Sequence, residues 1–268
     1  MKSLLVVHGL KRSGNHAIVN WLLGCEDFLF FNNIIPIRPI LAGERPMPPP
    51  EDFPEWLSRQ LLPPRLRFPL FLGLSAAAKR SVMVSLEDHE LTVAPFSNVT
   101  WPVTNILILR DPVNLLASRI RKGAAMRHPA YPRETGANMQ RVVALWKAHA
   151  REHLGLTRLL EPKVCVYFDA WFSGPEYRRD VAGRLGVEFT DRAFSRVSNV
   201  GGGSSFDQTR FDGNNTGMGV LERETRLTDA ERDVLERALD DAELRELAAQ
   251  LAATYPAGQT DVPAPRSS

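Results

Sequence analysis

Cysteine is nearly missing from this chain, with Cys25 and Cys165 the two present. They stand far apart and at no metal-like spacing, which argues against a disulfide framework or a zinc ribbon and suits a reducing cytoplasm. Cys165 lies in the apolar run Val164-Cys165-Val166, where a buried, inert thiol is expected. Charge of one sign is also lacking. Thirty-three Lys and Arg against 31 Asp and Glu leave a net charge of +2, so no broad polyanion-binding face and no nucleic-acid partner are expected. A small anionic ligand needs only a few cations placed locally and is not excluded. Long hydrophobic runs are missing too. No stretch approaches the ~20 apolar residues of a membrane span. Leu4–Val7 is too short for the core of a signal peptide and leads straight into a glycine turn. Internal repeats are not visible.

With 268 residues, 44% apolar and 24% charged, the chain is expected to be soluble and globular. A single domain over 1–255 and a disordered, proline-bearing tail over 256–268 are expected. Ten of the twenty prolines fall in 36–69, including Pro48-Pro49-Pro50 and Pro63-Pro64. Proline removes a donor and fixes φ, so this stretch is read as an irregular insertion, with one short helix near Glu55–Leu62. It serves as a substrate-side flap or has no role.

Short apolar runs at Leu4–Val7, Val82–Leu86, Asn105–Leu109 and Val164–Phe168 have the character of buried parallel strands. Helical spacing occupies Ala17–Leu23 and the ranges 112–122, 138–160, 175–186, 228–238 and 241–253. Thr228 with Glu231 three later forms a capping box. Alternating strands and helices imply βαβ crossovers, hence an α/β three-layer sandwich with a mostly parallel central sheet, of the P-loop NTPase-like kind. Residues 199–220 are loop-like and long, as binding loops or lids often are.

Two segments carry chemistry. Gly9-Leu10-Lys11-Arg12-Ser13-Gly14 follows the first strand and precedes the first helix, with the Gly-x-x-x-x-Gly spacing of a phosphate-binding loop. Successive backbone N–H groups at a helix N-terminus favour an anion. After Gly14 come Asn15 and His16, where an ATP or GTP hydrolase has Lys and then Ser or Thr. The cations stand earlier, at Lys11 and Arg12, so the loop suits an anion handled without a tightly held metal. An ordinary glycine turn is the plain alternative. The second segment, Ile106-Leu107-Ile108-Leu109-Arg110-Asp111-Pro112, is a buried strand ending in a charge, with Asp111 placed to cap the next helix and Ser118 eight positions after Arg110. An arginine at the carboxyl end of a central strand sits where open α/β sheets bind ligands. Its plain alternative is a local salt bridge.

Both segments resemble those of the PAPS-dependent sulfotransferases (PAPS is 3′-phosphoadenosine 5′-phosphosulfate). The resemblance covers about 1–25 and 80–255. It implies that Lys11, Arg12, Ser13, Gly14, Asn15 and His16 cradle the 5′-phosphosulfate, with Arg12 as the key cation. It implies that Arg110 and Ser118 hold the 3′-phosphate, and that no metal is required. Val164-Cys165-Val166-Tyr167-Phe168-Asp169 resembles a later family strand, placing Tyr167 near the adenine or, equally, in the core. The 201–219 loop would close over the nucleotide through Arg210 or Arg223, although the cytosolic branch's Arg-Lys-Gly-x-x-Gly-Asp-Trp signature is not present.

The implied activity is transfer of a sulfuryl group to a hydroxyl or amine of a small-molecule or carbohydrate acceptor, leaving PAP. For the base, Ser85-Leu86-Glu87-Asp88-His89-Glu90 follows the second strand run. Glu87 is the first choice and His89 the second, Asp88 between them is left open, and solvated loop charges are the plain alternative. His16 is an outside candidate, because it opens the first helix. The competing readings are a P-loop small-molecule kinase, which Asn15 opposes, and a non-catalytic nucleotide-binding relative. His149 and His153 stand four apart, a metal-capable spacing, but are expected on a solvated helix face. The acceptor and the oligomeric state are not legible.

Overall fold

The computed structural model describes residues 3–32, 81–91, 102–125, 137–196, 215 and 218–256. The proline-rich 36–69 stretch, Arg210 and the tail beyond 256 lie outside the described residues.

Five short, largely apolar segments build a five-stranded, all-parallel sheet in the order β2-β3-β1-β4-β5. The strands are β1 (Leu4–Gly9), β2 (Leu29–Asn32), β3 (Val82–Glu87), β4 (Val103–Leu109) and β5 (Lys163–Tyr167). The helices are α1 (Asn15–Cys25), α2 (Pro112–Ala125), α3 (Ala137–His153), α4 (Phe168–Ser173), α5 (Pro175–Leu185), α6 (Asp229–Leu239) and α7 (Ala242–Thr254). β1 lies between β3 and β4, in register Leu4 with Val82 on one side and with Val103 on the other. The carboxyl ends of these three strands therefore meet at Gly9, Glu87 and Leu109.

The pleat sends alternate side chains to two faces. Leu5, Val7, Ile106, Ile108, Val164 and Val166 pack with Ile18 and Trp21 of α1, Trp171 of α4 and Val181 of α5. On the opposite face Leu109 and Tyr167 pack with residues of α2, α3, α6 and α7, among them Leu116, Trp146, Leu235 and Leu247. Helices thus cover both faces, as an all-parallel sheet requires. Each fully buried side chain of this kind stabilises by about 1.5–3 kcal/mol. No helix among the described residues is long and apolar enough to cross a membrane.

Several elements differ from the sequence expectation. β2 was not expected, and α4 begins at Phe168, where a strand was still expected. α3 stops at His153 and does not run to 160. The Glu152 carboxylate turns the chain there, accepting from Thr157 Oγ1 at 2.6 Å, Leu159 N at 2.9 Å, Leu160 N at 3.1 Å and Lys163 Nζ at 2.6 Å. The expected capping box at Thr228 and Glu231 is present. His149 and His153 overturn the solvated-face expectation, being 1% and 7% exposed.

Candidate active site

The turn from β1 to α1 is held in an unusual backbone shape. Arg12 has φ 74° and Gly14 has φ 88°, both left-handed. Gly14 is required twice over, since a Cβ there would sit 2.1 Å from the Phe168 ring. A Cβ on Gly9 would likewise lie 2.3 Å from Asn15 Oδ1. Ser13 N donates to Leu10 O at 3.0 Å, and the Ser13 hydroxyl is buried without a hydrogen-bond partner among the described residues. Asn15 spends both amide protons, donating to Leu10 O at 3.1 Å and to Glu87 Oε1 at 2.9 Å. Two acceptors on that side fix which end of the amide faces them.

Asp88, in left-handed backbone at φ 61°, is the brace of this turn. Its N–H donates to Gly9 O at 3.1 Å and its Oδ1 accepts from Lys11 N at 2.9 Å. Arg119 of α2 adds two bonds, from Nη1 to Oδ1 at 2.9 Å and from Nη2 to Oδ2 at 3.3 Å. Burial alone would raise the Asp88 carboxyl, but Arg119 and the Lys11 amide hold it below the ordinary range. Sequence reasoning missed this pair. The adjacency of Asp88 to Glu87 and of Arg119 to Ser118 was the one available hint.

The structure brings the two sequence motifs into contact. Arg12 Nε donates to Ser118 Oγ at 3.1 Å, and Arg110 Nη1 donates to the Arg12 carbonyl at 2.9 Å. Arg110 is 4% exposed. Its Nη2 donates to the Val220 carbonyl, and its guanidinium lies 4.9 Å over Phe168. Its Nε has no partner among the described residues. Burial lowers its pKa to about 10, so it stays charged at neutral pH. Asp169 is pushed up to about 6 by burial, opposed by Arg110. Asp111 caps α2 as expected, accepting from Asn114 N at 2.9 Å. The backbone N–H of Arg223 donates to Asn114 Oδ1 at 2.8 Å, and the charge of its side chain opposes that of Arg110. Arg12 acts electrostatically on Arg110, His16 and Lys122 alike, so positive charge converges on the loop.

The candidate bases separate. Glu87 faces the loop and α1, with His16 Nε2 at 3.7 Å from its Oε1. His16 is pulled below the usual histidine range by burial and by Arg12, against the pull of Glu87. His89 follows the end of β3 and meets α3 through its backbone. Its carbonyl lies 3.1 Å from His149 Nε2, and its charge opposes protonation of both His8 and His149. Tyr167 is 6% exposed and stacks on Tyr255 at 5.0 Å between centroids, a core position. Cys165 is half-buried, and burial raises its thiol to about 11, as an inert cysteine requires. Among the described residues no grouping of His, Cys, Asp or Glu has the arrangement of a metal site.

No family model matches the chain, and no curated protein matches it. Among solved structures, one match is the sulfotransferase domain from the curacin biosynthetic pathway. It is 12% identical over 94% of this chain and 98% of that one, with a TM-score of 0.48.

Proposed function

We propose that this chain is a PAPS-dependent sulfotransferase acting on a hydroxyl or amine of a small-molecule or carbohydrate acceptor. The observation that carries the reading is the contact of the two motifs: Arg110 on the Arg12 carbonyl, and Arg12 on Ser118. Two segments that resemble opposite ends of one nucleotide site thus touch each other, at the strand ends where α/β sheets bind ligands.

The loop fits an anionic donor on its own chemistry. Left-handed Arg12 and Gly14 turn backbone amides into a concavity at the α1 N-terminus, and the buried Ser13 hydroxyl is left over to take part. Lys11 and Arg12 supply charge at the 5′-phosphosulfate, and the Ser13 hydroxyl with the backbone amides of Gly14, Asn15 and His16 completes the cradle. Arg110 and Ser118 form the 3′-phosphate end. In the arrangement described, Arg110 also braces the loop through the Arg12 carbonyl. The donor brings an activated sulfuryl group. The residues orient it and offset the charge that grows on the departing phosphate. Asn15 spends its amide inside the loop and offers neither the cation nor the hydroxyl that a Mg·ATP site uses.

Thermal stabilisation by PAP against ATP plus Mg²⁺ tests the reading, because a ligand that binds the folded state raises the melting transition by mass action. A shift with PAP and little with ATP·Mg²⁺ is expected. A shift with ATP·Mg²⁺ alone would favour a kinase, and PAP binding without turnover on any acceptor would leave a non-catalytic relative.

A further inference from the structure

We infer that His16 is the proton acceptor of the transfer step and that Glu87 is the carboxylate that positions it. The inference rests on the sulfotransferase reading. His16 is the second residue of α1, directly behind the left-handed turn, and close enough to Arg12 for the guanidinium to act on its ring. Its Nε2 stands 3.7 Å from Glu87 Oε1. That distance is beyond a hydrogen bond but within ion-pair reach, and catalytic pairs often tighten only when substrate is bound.

Three observations favour the imidazole over Glu87 itself. Glu87 Oε1 already accepts the Asn15 amide at 2.9 Å. The Glu87 side chain is 10% exposed and that of His16 26%, so an acceptor reaches the ring more readily than the carboxylate. Burial and Arg12 depress the His16 pKa while Glu87 opposes them, so the ring is neutral near pH 7 and able to take a proton. The His89 carbonyl meets His149 Nε2 at 3.1 Å, and the charge of its ring acts on His8 and His149, whereas His16 is paired with Glu87 beside the loop.

With Nε2 turned to a carboxylate, the proton of the neutral ring sits on Nε2 and the lone pair on Nδ1. The acceptor oxygen forms the new O–S bond. The bridging S–O bond of the donor breaks, and its electron pair passes to the 5′-phosphate of PAP. The acceptor's proton goes to Nδ1 of His16, and Glu87 stabilises the imidazolium until solvent takes the proton. Charge and atoms balance as acceptor–OH plus PAPS giving acceptor–OSO₃⁻, PAP and H⁺.

The test follows the His16 ring by NMR in the full chain labelled with ¹⁵N-histidine, assigned by its loss in His16→Gln. His16 should titrate below 6.5, and Glu87→Gln should move it further down. An unchanged titration in Glu87→Gln overturns the pairing. The second arm is release of PAP from PAPS with water and with 4-nitrophenol as acceptors. His16→Gln should lower turnover at least about tenfold while PAP affinity changes less than about threefold. Glu87→Gln should move the acid limb of the pH profile down by the interval seen in the NMR titration. Wild-type turnover in His16→Gln, or a wild-type chain that binds PAP yet releases none from PAPS, overturns the proton acceptor. A chain that does not bind PAP removes the sulfotransferase reading instead, and the His16–Glu87 coupling is still read in the titration.

Discussion

Arg12 of the opening turn donates its Nε–H to the hydroxyl of Ser118 on α2 at 3.1 Å, across 106 positions of sequence. A long cation is thereby aimed by a buried hydroxyl, because Ser118 is only 2% exposed. The bond matters to function if the direction of the guanidinium matters, since a freely rotating arginine offers charge without geometry.

Ser118→Ala should therefore cost more in binding than in folding. One hydrogen bond to a charged group is worth about 1.5 kcal/mol, roughly tenfold in PAP affinity. Isothermal titration with PAP measures it. Wild-type affinity in this variant would mean that Arg12 needs no aiming.

Asp88→Asn keeps the shape and tolerates left-handed backbone, but it loses the ion pair with Arg119. A largely buried pair broken on one side leaves its partner uncompensated, and a loss of about 3 kcal/mol is expected. Urea denaturation at pH 7 reads the loss. A double variant with Arg119→Met should recover part of it, and additive losses in the double would show that the two residues do not act together.

Gly14→Ala places a methyl group into the Phe168 ring and forces an alanine to φ 88°. Overpacking costs about 1–3 kcal/mol and the left-handed backbone about 1 kcal/mol more. In a Phe168→Leu background the clash is relieved, so the added cost of Gly14→Ala should fall toward the backbone share alone. Melting curves of the four chains decide it.

Acid should destabilise the protein before its surface carboxylates titrate. Burial lowers His8 and His149 to about 4 and His153 to about 3, against 6.5 for a free histidine. Between those limits the unfolded chain binds more protons than the folded one, so stability falls as pH drops from 6.5 toward 4. Each imidazole contributes up to about 1.4 kcal/mol per pH unit within the window. Asp169, raised to about 6, and Asp111, also raised by burial, work in the opposite direction, but they are two carboxyls against four depressed histidines, His16 included. Denaturation midpoints across pH 4–7 should slope accordingly, and His149→Gln should flatten the slope.

The turn between β1 and α1, the Arg110 strand end and the caps of α2 and α6 were legible in the sequence, because each depends on residues adjacent in the chain. What was not legible depends on partners far away. Asp88 reads as one charge among four in Glu87-Asp88-His89-Glu90, and only the fold brings Lys11 and Arg119 to it. His149 and His153 look like polar residues of a mixed helix, but their positions on α3 face the sheet, where His8 pairs with Asn105 at 3.0 Å. β2 was overlooked because four residues are too few for periodicity to register, and α4 because an apolar strand-like run continues into it.

The position of β1 between β3 and β4 bears on how the chain acquires its shape. Its two neighbours pair with it at Val82 and Val103, roughly a hundred residues after Leu4 is made. At about 5–20 residues per second, several seconds of synthesis pass before both edges of that strand can be covered. Through that interval the backbone groups along both edges of Leu4-Leu5-Val6-Val7 wait for the strands that will pair with them.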